Sequence, residues 1–284
     1  DSRHLVTFLD NHDMPRFMSA GASPARVDMG LALILTCRGT PCIYYGTEQY
    51  LHNDTNGGAD PYNRPMMENW DTATSAFRLV KKLAAVRREN KAVQSGSHRK
   101  KYLSPDVYAY TRVYRDNCCL AAFNRGAETS IDLENIELPD GVYKDVLSDR
   151  AVPVKAGRIS GLKLERDSSF VLSYCGPARE KTGLEISFVL NGYNTAFGER
   201  IKVTGNSPEL GHWDLAKAFP LEYINENMWL GHLPIKESAG KAMAYKFIIE
   251  RDNGGVLFEN RPAHVRLMPA RGSTHSGRPE GSAN

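Results

Sequence analysis

The sequence predicts a multidomain protein in which a parallel α/β segment is followed by two all-β sandwich domains. Hydrophobic periodicity changes from helical to alternating near residue 97, and a polar stretch at 176–183 separates two strand-rich parts. The length of 284 residues suits two or three domains. We place the α/β segment at residues 1–96, the β domains at 97–178 and 184–270, and a disordered tail rich in Gly, Ser and Pro at 271–284.

Strand and helix patterns alternate within residues 1–96. A short apolar run, Leu5 to Leu9, precedes a helical pattern that starts at Ser23-Pro24 and stops before Gly39. A second run, Cys42 to Tyr45, precedes a turn-rich loop and a helix from Thr74 to Asn90. The order strand, helix, strand, helix is typical of a parallel α/β fold.

The remaining segments lose helical spacing and show short strand-like runs between turn residues. In residues 97–178 these runs are Val107–Tyr114, Cys118–Asn124, Gly141–Val146 and Ser169–Tyr174. In residues 184–270 they are Glu185–Leu190, Glu199–Val203, Met228–Leu233 and Ala242–Glu250. Both segments are therefore expected to be antiparallel sandwiches.

Composition excludes two classes of partner. Lys and Arg number 36 against 33 Asp and Glu, and a net charge of +3 is too small for attraction to a phosphate backbone. We interpret the basic run His98 to Lys101 as solvated charges. The longest apolar stretch, Met29 to Cys37, is far shorter than the ~20 residues that cross a bilayer. We expect neither nucleic acid nor a membrane as partner.

A polar cluster follows the first predicted strand. Asp10, His12 and Asp13 stand where the strand ends, and catalytic groups collect at that end in a parallel barrel. The alternative is a turn in which Asx side chains cap the next segment. Spacing alone leaves both interpretations open.

Three sequence motifs of residues 1–96 resemble those of glycoside hydrolase family 13, the α-amylase family: FLDNHDMPRF, RGTPCIYYGTEQYL and DPYNRPMM. The resemblance implies that residues 1–96 are the last two β/α units of a (β/α)8 barrel. It implies that His12 and Asp13 contact the sugar beside the scissile bond, with Asp13 helping to distort its ring. Asp60 and Arg64 would bind a donor sugar farther away, and the alternative for them is a loop salt bridge.

The same resemblance implies that much of the catalytic domain is missing. In the family the nucleophile and the general acid lie on the fourth and fifth barrel strands, whereas this chain resembles the part from the seventh. We therefore expect an incomplete catalytic domain without glycosidase activity of its own. We expect no metal or other cofactor in this chain, with calcium as a feature of the full-length family member. Residues 97–178 resemble the family's C-terminal β domain.

The third segment resembles the family 20 carbohydrate-binding module, a starch-binding β-sandwich, through VTGNSPELGHWD, NMWLGHLP, AYKFI and VLFENR. The resemblance implies two starch sites, one marked by Phe197, with Tyr223 a weaker candidate, and the other formed by Trp213, Lys246, Phe258, Glu259 and Asn260. Phe258 stands where the family usually has Trp, so it offers less stacking area. The alternative for Trp213 is a core position, because Trp is usually buried in large part. Trp229 is expected in the core.

Together these features predict a secreted enzyme that processes α-1,4-glucans with retention, by hydrolysis or by transglycosylation. Its expected ligands are starch, maltooligosaccharides or cyclodextrins. The motif DPYNRPMM favours the cyclodextrin glucanotransferase branch of the family. The immunoglobulin-like domain that is usual in that branch has no counterpart before the starch-binding segment. A non-enzymatic starch- or glycogen-binding protein is the alternative.

Overall fold

The computed structural model describes residues 5–176, 184–225 and 227–269, which form two compact units. The first unit falls within residues 1–177 and the second within residues 178–284. Most of the predicted linker at 176–183 and the whole predicted tail at 271–284 lie outside the described residues. No described helix is long and apolar enough to cross a membrane.

The first unit begins with two parallel strands joined through a helix, as predicted. Strand β1 (Val6–Thr7) pairs with β2 (Thr40–Pro41), and helix α1 (Pro24–Thr36) lies between them in the chain. The Ser23 hydroxyl accepts a hydrogen bond from the N–H of Arg26 and so caps the helix. The sequence therefore signals the start of this helix by its capping residue.

The predicted second strand, Cys42 to Tyr45, is wrong in position. Pairing ends at Pro41, and the Cys42 N–H makes the last bridging hydrogen bond, to the Thr7 carbonyl at 2.8 Å. Tyr44 and Tyr45 do not continue the strand. The Tyr45 carbonyl accepts a hydrogen bond from the buried Arg16 guanidinium, and the Tyr45 ring packs against the same guanidinium. A tertiary contact overrides the local strand preference.

Helix α2 (Ser75–Glu89) and the short helix α3 (Lys91–Ser95) complete the helical part. The Thr74 hydroxyl caps α2 by accepting from the Phe77 N–H at 3.1 Å. Leu79 and Leu83 face the interior together with Leu31 and Leu35 of α1. This confirms the predicted helix over residues 74–90.

Eight antiparallel strands follow in the first unit. They are β3 (Ser97–Leu103), β4 (Val107–Tyr114), β5 (Asn117–Asn124), β6 (Thr129–Leu133), β7 (Gly141–Lys144), β8 (Ala151–Val154), β9 (Ile159–Leu164) and β10 (Ser168–Tyr174). The main sheet has the order β10-β5-β4-β3, and β6 pairs with β9 and β7 with β8. The four strands predicted in this segment are therefore present.

The central strand β5 explains how the helical and β parts pack together. Leu120 and Ala122 belong to the core among the β strands, whereas Cys119, Ala121 and Phe123 belong to a second core with α1 and α2. A strand buried on both faces reads as a continuous apolar run, as CCLAAF does. Residues 1–96 and 97–178 thus share an apolar layer, and their division into two domains stays a prediction.

The basic run in β3 is solvated in part: Lys100 is exposed, as predicted, whereas His98 and Lys101 are partly buried. His98 stacks on Tyr110 with ring centroids 4.0 Å apart, and Lys101 Nζ lies 2.7 Å from Glu137 Oε1. Burial lowers the pKa of His98 to about 4, with a further contribution from Arg112. Strand geometry turns His98 and Lys101 onto neighbouring strands and loops, whereas Lys100 stays in solvent.

The second unit is a β-sandwich. Its strands are β11 (Glu185–Asn191), β12 (Arg200–Gly205), β13 (Phe219–Pro220), β14 (Glu222–Asn225), β15 (Met228–Pro234), β16 (Ala242–Glu250), β17 (Val256–Phe258) and β18 (His264–Leu267). One sheet has the order β11-β15-β14, and the other has the order β13-β12-β16-β17 with β18 also on β16. Phe188 and Trp229 of the first sheet pack with Ile201 and Val203 of the second. All four strands predicted in this segment are present.

Candidate functional site

The loop after β1 carries two exposed polar side chains. His12 Nε2 lies 3.2 Å from Asp13 Oδ1, and both side chains are more than half exposed. Asn11 Oδ1 accepts a hydrogen bond from the Asp13 N–H at 2.8 Å, which is an Asx turn. The Asx turn and the exposed His–Asp pair are therefore both present, because Asn11 makes the turn and leaves His12 and Asp13 open to solvent.

Asp10 serves the framework of this loop. It is 3% exposed, and its carboxylate accepts from the Phe17 N–H and from the Thr47 hydroxyl, each at 3.0 Å. These bonds connect the loop after β1 to the loop after β2. Asp10 is thus an anchor, and the outward-facing members of the cluster are His12 and Asp13.

The structure brings the predicted donor-sugar residues to the same place. Arg64 Nη2 lies 2.6 Å from Asp60 Oδ1, and Arg64 Nε donates to the His12 carbonyl at 3.2 Å. The salt bridge offered as the alternative is therefore present. Both side chains remain about half exposed or more, so hydroxyl groups of a ligand can reach them.

Two residues that the sequence analysis missed hold these loops together. Arg16 is fully buried, donating from Nε to the Asn63 carbonyl at 2.9 Å and from Nη1 to the Tyr45 carbonyl at 2.7 Å. Its guanidinium carbon lies 4.1 and 4.5 Å from the ring centroids of Tyr44 and Tyr45. The Asn63 amide donates to the His12 carbonyl at 2.7 Å. Both lie within the quoted motifs, but no sequence pattern marks an arginine as buried.

In the second unit, Trp213 ends a 3₁₀ segment (Pro208–Trp213) that packs against β12. Gly211, His212 and Trp213 all have positive φ, at 78°, 50° and 67°. A left-handed conformation costs a non-glycine residue roughly 1–2 kcal/mol, so the surroundings must hold this turn. Trp213 is 41% exposed, which rejects the core alternative.

Glu209 fixes the segment that carries this turn to residues 236–238. One carboxylate oxygen accepts from the N–H groups of Lys236, Glu237 and Ser238 at 2.8–3.1 Å, and the other accepts from the Ser238 hydroxyl. Although burial raises the pKa of Glu209, these hydrogen bonds, led by that from Ser238, lower it to about 2. Sequence reasoning passed over Glu209, although it lies inside the quoted PELGHW.

Lys246 and Phe258 lie on one face of the larger sheet. Lys246 pairs with Thr204 of β12, and Phe258 pairs with Ile248 of β16, two residues along from Lys246. Opposite residues of an antiparallel pair point to the same side, as do residues two apart in one strand. Phe258 is 49% exposed. An aromatic ring and an ammonium group are thus displayed together on the side away from Phe247, which packs against the core.

The neighbouring predicted residues differ in their surroundings. Glu259 Oε1 accepts from the Phe247 N–H and Oε2 contacts His264 Nε2, each at 3.0 Å. Glu259 therefore holds β16 to the segment that follows β17, and Asn260 beside it is exposed. Their contact with a ligand stays a prediction.

The second predicted starch position shows the most exposed aromatic ring of the unit. Phe197, in the connection between β11 and β12, is fully exposed. Tyr223 is partly exposed and meets Trp229 edge to face, with centroids 5.5 Å apart. Trp229 itself is 6% exposed, so its predicted core position is confirmed.

The part of the chain that the structure describes contains no cluster of acidic side chains that could coordinate a calcium ion. Within residues 5–176, 184–225 and 227–269, no three His, Cys, Asp or Glu side chains converge as ligands. Calcium in proteins takes 6–8 oxygen ligands, several of them carboxylate oxygens. The expectation that this chain holds no metal stays a prediction.

Comparison with protein families assigns two parts of the chain. The family model of the α-amylase catalytic domain matches residues 1–69, and that of the starch-binding domain matches residues 183–277. The first range contains the loops around His12 and Arg64, and the second contains every predicted starch-binding residue.

Known proteins support the same assignment. A cyclomaltodextrin glucanotransferase of Klebsiella oxytoca is 32% identical over 81% of this chain and 39% of its own length. An α-amylase of Niallia circulans is 42% identical over 51% of this chain and 27% of its own length. The chain therefore spans well under half the length of these relatives.

A solved structure, the cyclomaltodextrin glucanotransferase CldA, described as the first with a three-domain ABC distribution, aligns with a TM-score of 0.58 and 44% identity. The alignment covers 61% of this chain and 36% of CldA. Residues 1–69 are thus identified as part of a catalytic domain of the α-amylase family, glycoside hydrolase family 13, and residues 183–277 as a family 20 starch-binding domain.

Proposed function

We propose that this chain binds starch through the exposed aromatic residues of its second unit and belongs to an enzyme that processes α-1,4-glucans. The observation that carries the proposal is the display of Trp213, Phe258 and Phe197 at the surface of the starch-binding domain, whereas Trp229 is buried. An exposed aromatic ring offers a flat face on which a sugar ring can stack.

The chemistry of glucose fits this surface. The C–H groups on the face of a glucose ring stack on an aromatic plane, and the hydroxyl groups at its rim take hydrogen bonds from ammonium and amide groups. Lys246 supplies an ammonium group on the same face as Phe258. Phe197, at the other predicted site, gives a second attachment point, which strengthens binding to a polymer.

We further propose that residues 1–96 are the last quarter of a (β/α)8 barrel and contribute sugar-contacting groups to its active site. His12 and Asp13 would hydrogen-bond the sugar beside the scissile bond, and the Asp60–Arg64 pair would bind vicinal hydroxyls of a donor sugar farther along. Their exposure at one loop cluster supports this role.

Cleavage itself is assigned to residues outside this chain. Retention requires a nucleophile and a general acid whose carboxyl groups stand about 5–5.5 Å apart. In the loop cluster the carboxylates are engaged differently, since Asp60 pairs with Arg64 and Asp13 with His12. We therefore propose that the chain alone binds glucans without cleaving them, needs no cofactor to do so, and functions as part of a secreted protein.

In the reaction of the enzyme that carries this segment, the acceptor of the glucosyl unit is either water or another sugar. Both outcomes stay open because an α-amylase and cyclomaltodextrin glucanotransferases match the chain. The absence of an immunoglobulin-like domain before the starch-binding domain does not favour hydrolysis, since the glucanotransferase CldA is described with three domains only. Product analysis with an enzyme that carries this segment decides between the two outcomes.

The proposal is tested by retention of the chain on insoluble starch. Replacing Trp213 and Phe258 by alanine should reduce retention about tenfold for each stacking contact, which corresponds to about 1.4 kcal/mol. Val142→Ala, at an exposed position of β7 in the first unit, is the control and should bind like the unmodified chain. Unchanged retention of the double variant would contradict starch binding by these rings. Release of reducing sugar by the purified chain would contradict the assignment of cleavage to other residues.

A further inference from the structure

A cleft in the first unit lies beside the loop that carries Asp60 and Arg64. It has a volume of about 340 Å³. The chain enters this cleft at Pro65, directly after Arg64, and follows it as far as Asn69. We propose that this cleft, with Trp70 directly after its last lining residue in the chain, is a further binding site for an α-glucan chain. The inference rests on the proposed function and names a site that is separate from the starch-binding domain.

The aromatic platform is Trp70. It follows the last lining residue of the cleft and is 71% exposed, more than Trp213 at 41%. Met66, which lines the cleft, is 83% exposed. A flat indole face suits the C–H face of a sugar ring.

The segment that carries Trp70 is fixed by hydrogen bonds. The Gln49 side-chain amide donates to the Asp71 carbonyl at 3.2 Å, and its oxygen accepts from the Asp71 N–H at 2.9 Å. The Thr74 hydroxyl donates to the Glu48 carbonyl at 2.7 Å. The backbone beside Trp70 is therefore held before a ligand arrives, which lowers the entropy cost of binding.

The cleft lining has the chemistry that hydroxyl groups require. Its polar members combine amide, carboxylate and imidazole groups: Gln49, His52, Asn53, Asp54, Glu68 and Asn69. Amides donate and accept, and carboxylates accept from two hydroxyls at once. The apolar members, Leu51 among them, offer surface to C–H groups. An alternation of polar rim and apolar surface favours a sugar chain over an apolar protein segment.

The experiment uses the three tryptophans of the chain as reporters. In the Trp213→Ala variant the remaining tryptophans are Trp70, which is exposed, and Trp229, which is 6% exposed. Titration of this variant with maltoheptaose should give a saturable change in tryptophan fluorescence. The change should be lost in Trp213→Ala/Trp70→Ala. Gln49→Ala in the same background should weaken the apparent affinity about fivefold, because one amide and the hold on Asp71 are removed.

Controls separate this inference from the proposed function. Val142→Ala, at an exposed position of β7, should leave the fluorescence titration unchanged, and circular dichroism should show that each variant keeps its fold. Absence of a saturable change in Trp213→Ala, persistence of the change after Trp70→Ala, or an equal response to cellohexaose would overturn the inference. Retention of the unmodified chain on starch, lost with Trp213 and Phe258, would still support the proposed function.

Discussion

The two units present their predicted sugar-binding groups in different ways. In the first unit the charged groups pair with one another, as Arg64 does with Asp60, and a buried arginine holds their loops. In the second unit Trp213 and Phe258 are exposed rings on a sheet and its adjoining turn. The charged groups already have protein partners, whereas the exposed rings have open faces on which a sugar can stack. Substitutions should therefore separate stability from binding more cleanly in the second unit.

The sharpest contrast is expected between the two tryptophans of the starch-binding domain. Trp229→Ala empties a core position and should lower the free energy of unfolding of the domain by about 3–5 kcal/mol. Trp213→Ala should change it by no more than about 1 kcal/mol while reducing starch retention. Chemical denaturation and a starch pull-down, run on both variants, measure the two effects. A larger stability loss for Trp213→Ala than for Trp229→Ala would break the comparison.

Substitutions of Arg16 test whether this buried guanidinium holds the loops of the first unit together. Arg16→Ala removes two hydrogen bonds from a charged donor and should cost about 3 kcal/mol or more in unfolding free energy. Arg16→Lys should give an intermediate loss, since lysine lacks the planar fork that reaches both carbonyls. Urea denaturation measures the difference, with the exposed Arg78→Ala as a control expected within about 0.5 kcal/mol of the unmodified chain. A loss from Arg16→Ala as small as that control would remove its anchoring role.

Acid should loosen the turn that carries Trp213. The pKa of Glu209 is lowered to about 2 in the folded chain, below its ordinary value of 4.5. The stabilisation is thus present above pH 4.5 and lost as the pH falls towards 2. Thermal melting between pH 5 and 2 should show a smaller decline in Glu209→Gln than in the unmodified chain. Parallel declines in the two proteins would contradict the role of this carboxylate.

The smallest effect on stability is expected for the exposed ion pair of the first unit. Arg64→Ala should change the unfolding free energy by about 0–1 kcal/mol, because exposed salt bridges contribute little. The same variant in an enzyme that carries this segment should raise KM for long maltooligosaccharides. A stability loss comparable with that of Arg16→Ala would show that the pair is structural rather than ligand-binding.

Local signals in the sequence account for most of the fold. Ser23 and Thr74 mark the helix starts because their hydroxyls cap the first N–H groups, and the run ending at Tyr114 fits a strand because it packs on two faces. The end of the second parallel strand and the burial of His98 do not follow from local patterns, because they depend on tertiary contacts with Arg16 and with the Tyr110 ring.

The exposed aromatic residues of the candidate sites were predictable from the sequence, whereas the polar residues that anchor them were not. Exposed rings such as Phe197 follow from the motif wording, since an aromatic residue in a turn-rich connection has little core to enter. Anchors such as Arg16 and Glu209 have polar side chains whose partners are backbone groups remote in sequence. No local pattern reveals such partners, so the supporting residues of both units required the structure.

Calorimetric titration of the chain with maltoheptaose tests the central claim most directly. The account predicts binding whose dissociation constant rises about tenfold in Trp213→Ala, with no change in the melting temperature beyond a few degrees. Equal affinity of the two proteins would contradict it. Loss of binding in a Trp213→Ala variant that has also lost its fold would contradict it as well.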